Sequence, residues 1–437
     1  MSITKTYDAI IIGSGIIGCN IAFELAKRGW KTINIDRLPG AGHGSTASSC
    51  AVIRVHYSTL DGTAMAYESF FYWDNWANYL ETKDPDGMAK FIKTGVLVLK
   101  CQTNEYLKNT MGLLGELDIP YEEWDFAAVK KRFPILDDAS YYPPRRPDDS
   151  AFGRKNKNAL PGGVYYPSGG YISDPQLSTH NLEVAAEAYG AEFLFNSQVA
   201  AIHKEHHHVS GVTVADGTRI NAPVVINVAG PHSFLINRLA GVEDGMKIKT
   251  RALRHEVIHI PAPSGFDFEA VGCPSSDRDI GCYWRPEVGN HILCGSEDPD
   301  CDPKDWIDDP DVFNRDTTAQ ARAQAYRLAL RIPEIGIPRN IKGVVDLYDV
   351  SDDWIPIYDK SDLPGFYMAV GTSGNQYKNA PMVGKIMAEL IEQCQSGRDH
   401  DNDPIQFHLE HQDRSINLAF YSRLREINME SSFSVLG

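Results

Sequence analysis

The sequence predicts an α/β protein in which a parallel-stranded domain is assembled from separated segments. A second, α+β domain with a mixed or antiparallel sheet fills the gaps. Three observations predict this: a strand–glycine turn–helix–strand unit at the N-terminus, and buried parallel-type strands near residue 225 and near residue 370. The stretches between them alternate like antiparallel strands. The segments are expected at 1–90, 176–245 and 341–437 for the first domain, and at 91–175 and 246–340 for the second.

In chain order, "AIII" (Ala9–Ile12) is a buried strand. From Ile16 to Arg28 the apolar residues recur at helical spacing, and Gly29 ends the helix. "KTINID" is the next strand, which makes a βαβ unit with a right-handed crossover. "TGVLVLK" reads as a strand and "FAAVKKRFP" as a helix stopped before Pro134; the stretch from Asp137 to Pro175 reads as loop. "QLSTHNLEVAAEAYGAEFLFNSQV" is helix then strand. A hairpin turning at Asp216-Gly217 precedes a buried strand that ends at Ala229-Gly230. "GCYWRPEVGNHILCG" gives two antiparallel strands around Gly289-Asn290. Helices follow near Thr317–Leu330 and Met382–Gln393, the second opened by Pro381.

The net charge of −16 argues against nucleic acid and anionic membrane surfaces as partners. No run approaches the roughly 18 apolar residues of a membrane span. Eight cysteines without a CxxC pair fit free thiols in a reducing compartment, the cytoplasm by default. Cys273, Cys282, Cys294 and Cys301 lack zinc-site spacing, and His206-His207-His208 reads as exposed surface, so no metal is expected.

Gly13-Ser14-Gly15-Ile16-Ile17-Gly18 is G-x-G-x-x-G between a strand and a helix, and Asp36 ends the next strand. That context is the Rossmann-like dinucleotide fingerprint: glycines admit a pyrophosphate to the helix N-terminus, and the carboxylate takes ribose hydroxyls. Arg37 follows it. The chain then leaves the regular βαβ pattern for "GHGSTASS", whose Ser45, Thr46, Ser48 and Ser49 can lie along a bulky cofactor. That favours FAD over NAD.

"VIRVHY" (Val52–Tyr57), "TGVLVL", "GGYISDP" (Gly169–Pro175), "NVAGPHS" and "GTSGNQYKNAPMVG" (Gly371–Gly384) extend the pattern across the chain. In this order they resemble the D-amino-acid-oxidase superfamily, in its sarcosine oxidase/dimethylglycine dehydrogenase branch. The resemblance implies FAD held also by Val199, Ala229, Gly230, Gly374, Asn375, Gln376, Tyr377 and Lys378. It implies a substrate carboxylate on Arg54 and Lys378, a contact from Gly374, and a cavity lined by Tyr283 and Tyr348. The family's cysteine and histidine flavin links are not matched: Asp346 stands at the cysteine position and "GSTASS" replaces T-W-H. Noncovalent FAD is the expectation. Leu293 and Glu297 stand near the places of the family's oxygen-reducing lysine and its histidine.

The expected reaction is oxidation of the C–N bond of a small N-substituted glycine of sarcosine, dimethylglycine or iminodiacetate type. The imine hydrolyses to an amine plus glyoxylate or formaldehyde, and oxygen or a protein acceptor takes the electrons. No strong general base stands out. Arg251, Arg254, His255 and Arg285 lie in stretches that the resemblance places near the cavity; they are either structural or able to hold a second carboxylate, with Arg254 and Arg285 the candidates. A D-amino acid or 2-hydroxy acid on the same scaffold, and an FAD-binding subunit of a larger complex, stay open, as does the oligomeric state.

Overall fold

The computed structural model describes residues 6–103 and 105–436. A six-stranded sheet runs in the order Ile357–Lys360, Phe366–Val370, Val224–Asn227, Ala9–Ile12, Thr32–Ile35, Glu192–Leu194. All its pairings are parallel except the first, which is antiparallel. Its central strands are buried on both faces, which is why they read as unbroken Val/Ile runs. The helix Ile16–Lys27 lies on one face, flanked by Pro175–Ala188 and Ala380–Gln395. The hairpin Val199–Glu205/His208–Val214 and the helix Ser233–Ala240 cover the other.

The second sheet has nine strands. Its long centre is Thr250–Pro261, paired antiparallel on one side to Lys342–Ser351 and on the other to His291–Ser296. Beyond His291–Ser296 come Cys282–Glu287, Ser275–Asp277, Val96–Leu99, Gly162–Tyr166 and Glu122–Asp125, and the short strand Asp305–Ile307 also pairs with the central one. The helix Ala319–Arg331 packs beneath, and its fully buried Arg331 holds Asp277 and Asp279 at 2.7 and 3.1 Å.

Three differences from the sequence reading have local causes. The stretch read as loop contains the strands Gly162–Tyr166 and Gly170–Ile172, whose glycines sit where a Cβ would strike Trp124 O or Ile92 O, each at 2.0 Å. The strand Lys342–Ser351 belongs to the nine-stranded sheet, so a segment boundary at 341 falls too early. The helix Leu60–Asp74 is buried around most of its circumference, and so it shows no single apolar stripe. Among the described residues no helix is long and apolar enough to cross a membrane.

Candidate active site

A cavity of about 680 Å³ runs between the two sheets. Ligand sites typically span roughly 300–1,000 Å³. At one end stand the N-terminal glycine turn and Asp36; at the other stand Arg54, Lys378, Tyr283 and Tyr348.

The glycine turn separates fold from function. A Cβ on Gly13, whose φ is +117°, would meet Val228 O at 2.4 Å, and one on Gly18 would meet Gly13 O at 2.2 Å. These two glycines are required by the protein's own packing. Gly15 is different: its nearest neighbour would be Thr46 Oγ1 at 3.2 Å, and its Cα faces the cavity. The Asp36 carboxylate caps the turn, accepting from Ser14 N at 2.7 Å and Leu38 N at 2.9 Å. Ser14 is buried and is not among the lining residues, while Gly13, Gly15, Ile16, Ile17, Gly18, Arg37, Ser45, Thr46, Ser48, Ser49, Val199, Ala229 and Gly230 line the cavity. Arg37 reaches across to Asp311 at 2.5 Å.

At the other end the turn from Gly371 is fixed by a buried amide network. Tyr358 Oη and Asn379 Nδ2 donate to Gln376 Oε1 at 2.9 and 2.8 Å, and Tyr57 Oη donates to Asn375 O at 2.7 Å. Trp73, from the helix Leu60–Asp74, donates to Lys378 O at 2.7 Å. Gly374 has φ +69°, and a Cβ there would lie 2.4 Å from the Tyr348 ring. Asn375 Nδ2 is buried with no partner in the protein. Gly374, Asn375, Gln376, Tyr377 and Lys378 all line the cavity.

Lys378 and Arg54 are 3% and 8% exposed, and both stand over the Tyr57 ring, at 4.8 and 4.5 Å from its centroid. Among the described residues neither meets a carboxylate. Lys378 Nζ donates only to Asn375 O. Arg54 donates to the carbonyls of His56, Val435 and Leu436, the last two from the C-terminal segment. Burial first, and the Arg54 charge second, push the Lys378 ammonium well below its ordinary range. His56 is held neutral by burial and by the same two cations.

Along the strand Thr250–Pro261, period-two geometry decides which residues reach the cavity. His255 and Val257 line it, with Asp346 and Val344 opposite them in register, followed by Tyr348. Tyr348 stacks on His255 with centroids 4.1 Å apart. Tyr283 is paired to Gly295, where a Cβ would strike its ring at 2.4 Å, and to Ser276 on the other side. Burial raises the Tyr283 and Tyr348 phenols above their ordinary range, so both stay neutral.

The two arginine candidates for a second carboxylate are both paired with carboxylates of the protein. Arg254 has the opposite strand parity to His255 and Val257. It faces away from the cavity, bound to Glu256 at 2.8 Å and to Asn314 O and Asp316 O at 2.7 and 2.6 Å. Arg285 has the parity of Tyr283, and its charge acts on the lining residue Cys50, but its guanidinium is paired to Glu287 at 2.9 Å and stacked over Tyr171. Arg251 is on the surface over Trp306. The cavity also takes in His56, from the "VIRVHY" stretch, and Cys50, Ser276, Val435 and Leu436, which no local motif marks.

These residues fit FAD. A dinucleotide's pyrophosphate has a glycine cradle that only Gly15 keeps open, its ribose has Asp36, and Asn375 Nδ2 is an unused donor further along the same cavity.

Comparison with known proteins agrees. The family model described as FAD dependent oxidoreductase (DAO) matches residues 8–390. The glycine oxidase of Geobacillus kaustophilus (strain HTA426) is 23% identical over 91% of this chain and 96% of its own. Its crystal structure superposes with a TM-score of 0.73 at 18% identity, over 97% of this chain and 100% of that one. The N-methyl-L-tryptophan oxidase of Salmonella enteritidis PT4 (strain P125109) is 27% identical over 88% and 94%. The structure of iminodiacetate oxidase from Chelativorans sp. BNC1 has a TM-score of 0.65 at 17% identity, over 88% and 95%. With the matched model spanning well over half its length and the fold shared, the chain belongs to the DAO family of FAD-dependent oxidoreductases.

Proposed function

We propose that this protein oxidises the C–N bond of a small N-substituted glycine, with O2 as electron acceptor and H2O2 as by-product. The observation that carries the proposal is the pair of buried cations, Arg54 and Lys378, that share the Tyr57 ring at the cavity wall without a carboxylate partner among the described residues. Two cations at one buried spot repel each other, and a ligand carboxylate relieves both through charge-assisted hydrogen bonds. Lys378 has two ammonium donors to spare, and Arg54 has uncommitted guanidinium N–H groups.

Bound FAD supplies the two-electron acceptor for the oxidation. The fingerprint turn, Asp36 and the Gly374–Lys378 turn are the residues that would hold it. The protein's further work is orientation and exclusion of water. Arg54 and Lys378 fix the carboxylate, while the neutral Tyr283 and Tyr348 phenols with the His255 ring wall off the rest of the substrate. The imine released is hydrolysed to an amine plus glyoxylate or formaldehyde.

Arg254 is committed to Glu256 and Arg285 to Glu287, so neither is a free cation for the second carboxylate of a substrate such as iminodiacetate. A monocarboxylate of the sarcosine or dimethylglycine type suits the site better. Product analysis after aerobic turnover tests the proposal. One equivalent each of H2O2 and of formaldehyde or glyoxylate per amine consumed is the expected result. Turnover of D-amino acids or 2-hydroxy acids alone would contradict it, and oxidation that needs an added protein acceptor would contradict the O2 step.

A further inference from the structure

Behind the cavity wall at its substrate end lies a carboxyl group that the proposed reaction has not yet used. Glu297 follows the strand His291–Ser296 and is 6% exposed. Its Oε1 accepts from the Ser276 hydroxyl and from Asp277 N at 3.1 Å, and its Oε2 has no partner in the protein. The cation whose charge acts on it is Arg278, the neighbour of Asp277. Ser276 itself lines the cavity, directly across the ladder from Tyr283. Because the serine gives its hydrogen to Glu297, its oxygen is left as an acceptor.

A cavity that takes an amino acid by its carboxylate must also deal with the ammonium, since only the neutral amine can give up hydride. Resting on the substrate reading above, we propose that Ser276 and Glu297 form a proton relay that deprotonates the bound substrate ammonium. The N–H proton passes to Ser276 Oγ as the serine's own proton passes to Glu297. The amine regains its lone pair, Ser276 ends as the hydroxyl it began as, and the Glu297 carboxylate becomes a carboxylic acid. No oxidant or further reactant enters this step. Ser276 is the group that meets substrate; Glu297 acts through it.

The surroundings suit that task. Burial raises the Glu297 carboxyl to about 7, against lowering by Ser276 and by Arg278. Asp277, which raises it, is itself tied to Arg331 at 2.7 Å from the helix below. From the helix Glu105–Glu116, Tyr106 faces the same space with Arg278 over its ring, and Asp298 next in the chain is turned to His255 at 3.3 Å. A carboxylate poised near neutrality can both take a proton and give it back.

The test is the pH dependence of anaerobic flavin reduction by the best amine of a sarcosine, dimethylglycine and iminodiacetate panel, in wild type, Glu297→Gln, Ser276→Ala and Ser276→Thr. The wild-type rate should rise with pH through an inflection near 7. In Glu297→Gln and Ser276→Ala that inflection should vanish, leaving only the substrate's own, higher amine ionisation. The rate at neutral pH should fall about 10²-fold or more, the usual size of a general-base effect, and Ser276→Thr should restore it. FAD content and circular dichroism check that each variant is folded. If an amine reduces wild type and both disabled variants share its pH profile, the relay is wrong and the substrate reading stands. If no amine reduces the wild-type flavin while a 2-hydroxy acid does, the substrate reading fails and takes the relay with it.

Discussion

At the scale of single residues, Lys378 is the side chain whose electrostatics say most. Its ammonium is disfavoured by burial and by Arg54, so in the free protein it binds fewer protons than in the unfolded chain. A carboxylate arriving beside it restores the charge. Carboxylate binding should therefore take up a proton, and the affinity for an inert carboxylate such as acetate, read from the flavin spectrum, should weaken as pH rises. Lys378→Met should weaken that binding by about 30-fold or more, the low end for truncating one partner of a buried charge pair, and flatten its pH dependence. The stability sign follows from the same shift. The folded pKa is depressed, so stability rises with pH up to the ordinary lysine range, and Lys378→Met should raise Tm more at pH 6 than near pH 10. Equal shifts at both pH values would contradict this account. The fingerprint glycines give a second contrast. Gly13→Ala should lower Tm, because a Cβ there meets a carbonyl in a left-handed backbone. Gly15→Leu should spare the apoprotein's Tm while weakening FAD binding more than tenfold, measured by fluorescence titration.

At the scale of elements, legibility follows sequence distance. The turn at Gly13–Gly18 and Asp36 was readable because strand, turn and helix are contiguous and the periodicity switches visibly between them. The Gly371–Gly384 turn was readable for the same reason. Ser276 was not, because no local motif marks it and only the pairings of Ser276 with Tyr283 and of Tyr283 with Gly295 bring it to the cavity. The choice between a structural and a substrate role for Arg254 stayed open in the sequence because it depends on strand parity. Within Thr250–Pro261 the odd positions 255 and 257 reach the cavity and the even ones do not. Arg254 instead holds Glu256, which also receives Thr318 N at 3.0 Å and Ala321 N at 3.1 Å at the start of the helix Ala319–Arg331. Arg254→Met should cost about 3–5 kcal/mol in urea unfolding, the usual loss on breaking a buried pair, with KM for monocarboxylates unchanged. A changed preference between sarcosine and iminodiacetate would restore a substrate role for Arg254.

At the scale of the molecule, the candidate site lies where the two sheets meet. The parallel sheet brings its glycine turn and the Gly371–Gly384 turn to one side of the cavity; the nine-stranded sheet supplies the opposite wall through His255, Tyr283 and Tyr348. The cation pair spans the same distance in sequence, since Arg54 comes from the first part of the chain and Lys378 from the last. Its purpose in this account is to seat a substrate carboxylate. The most direct test follows flavin absorbance under anaerobic conditions as sarcosine, dimethylglycine, iminodiacetate, D-amino acids and 2-hydroxy acids are added in turn to wild type and Lys378→Met. Bleaching of wild type by an N-substituted glycine, lost or greatly slowed in the variant, is the predicted result. Bleaching by that amine at the same rate in both proteins, or in wild type only by substrates that lack the amine, would contradict it.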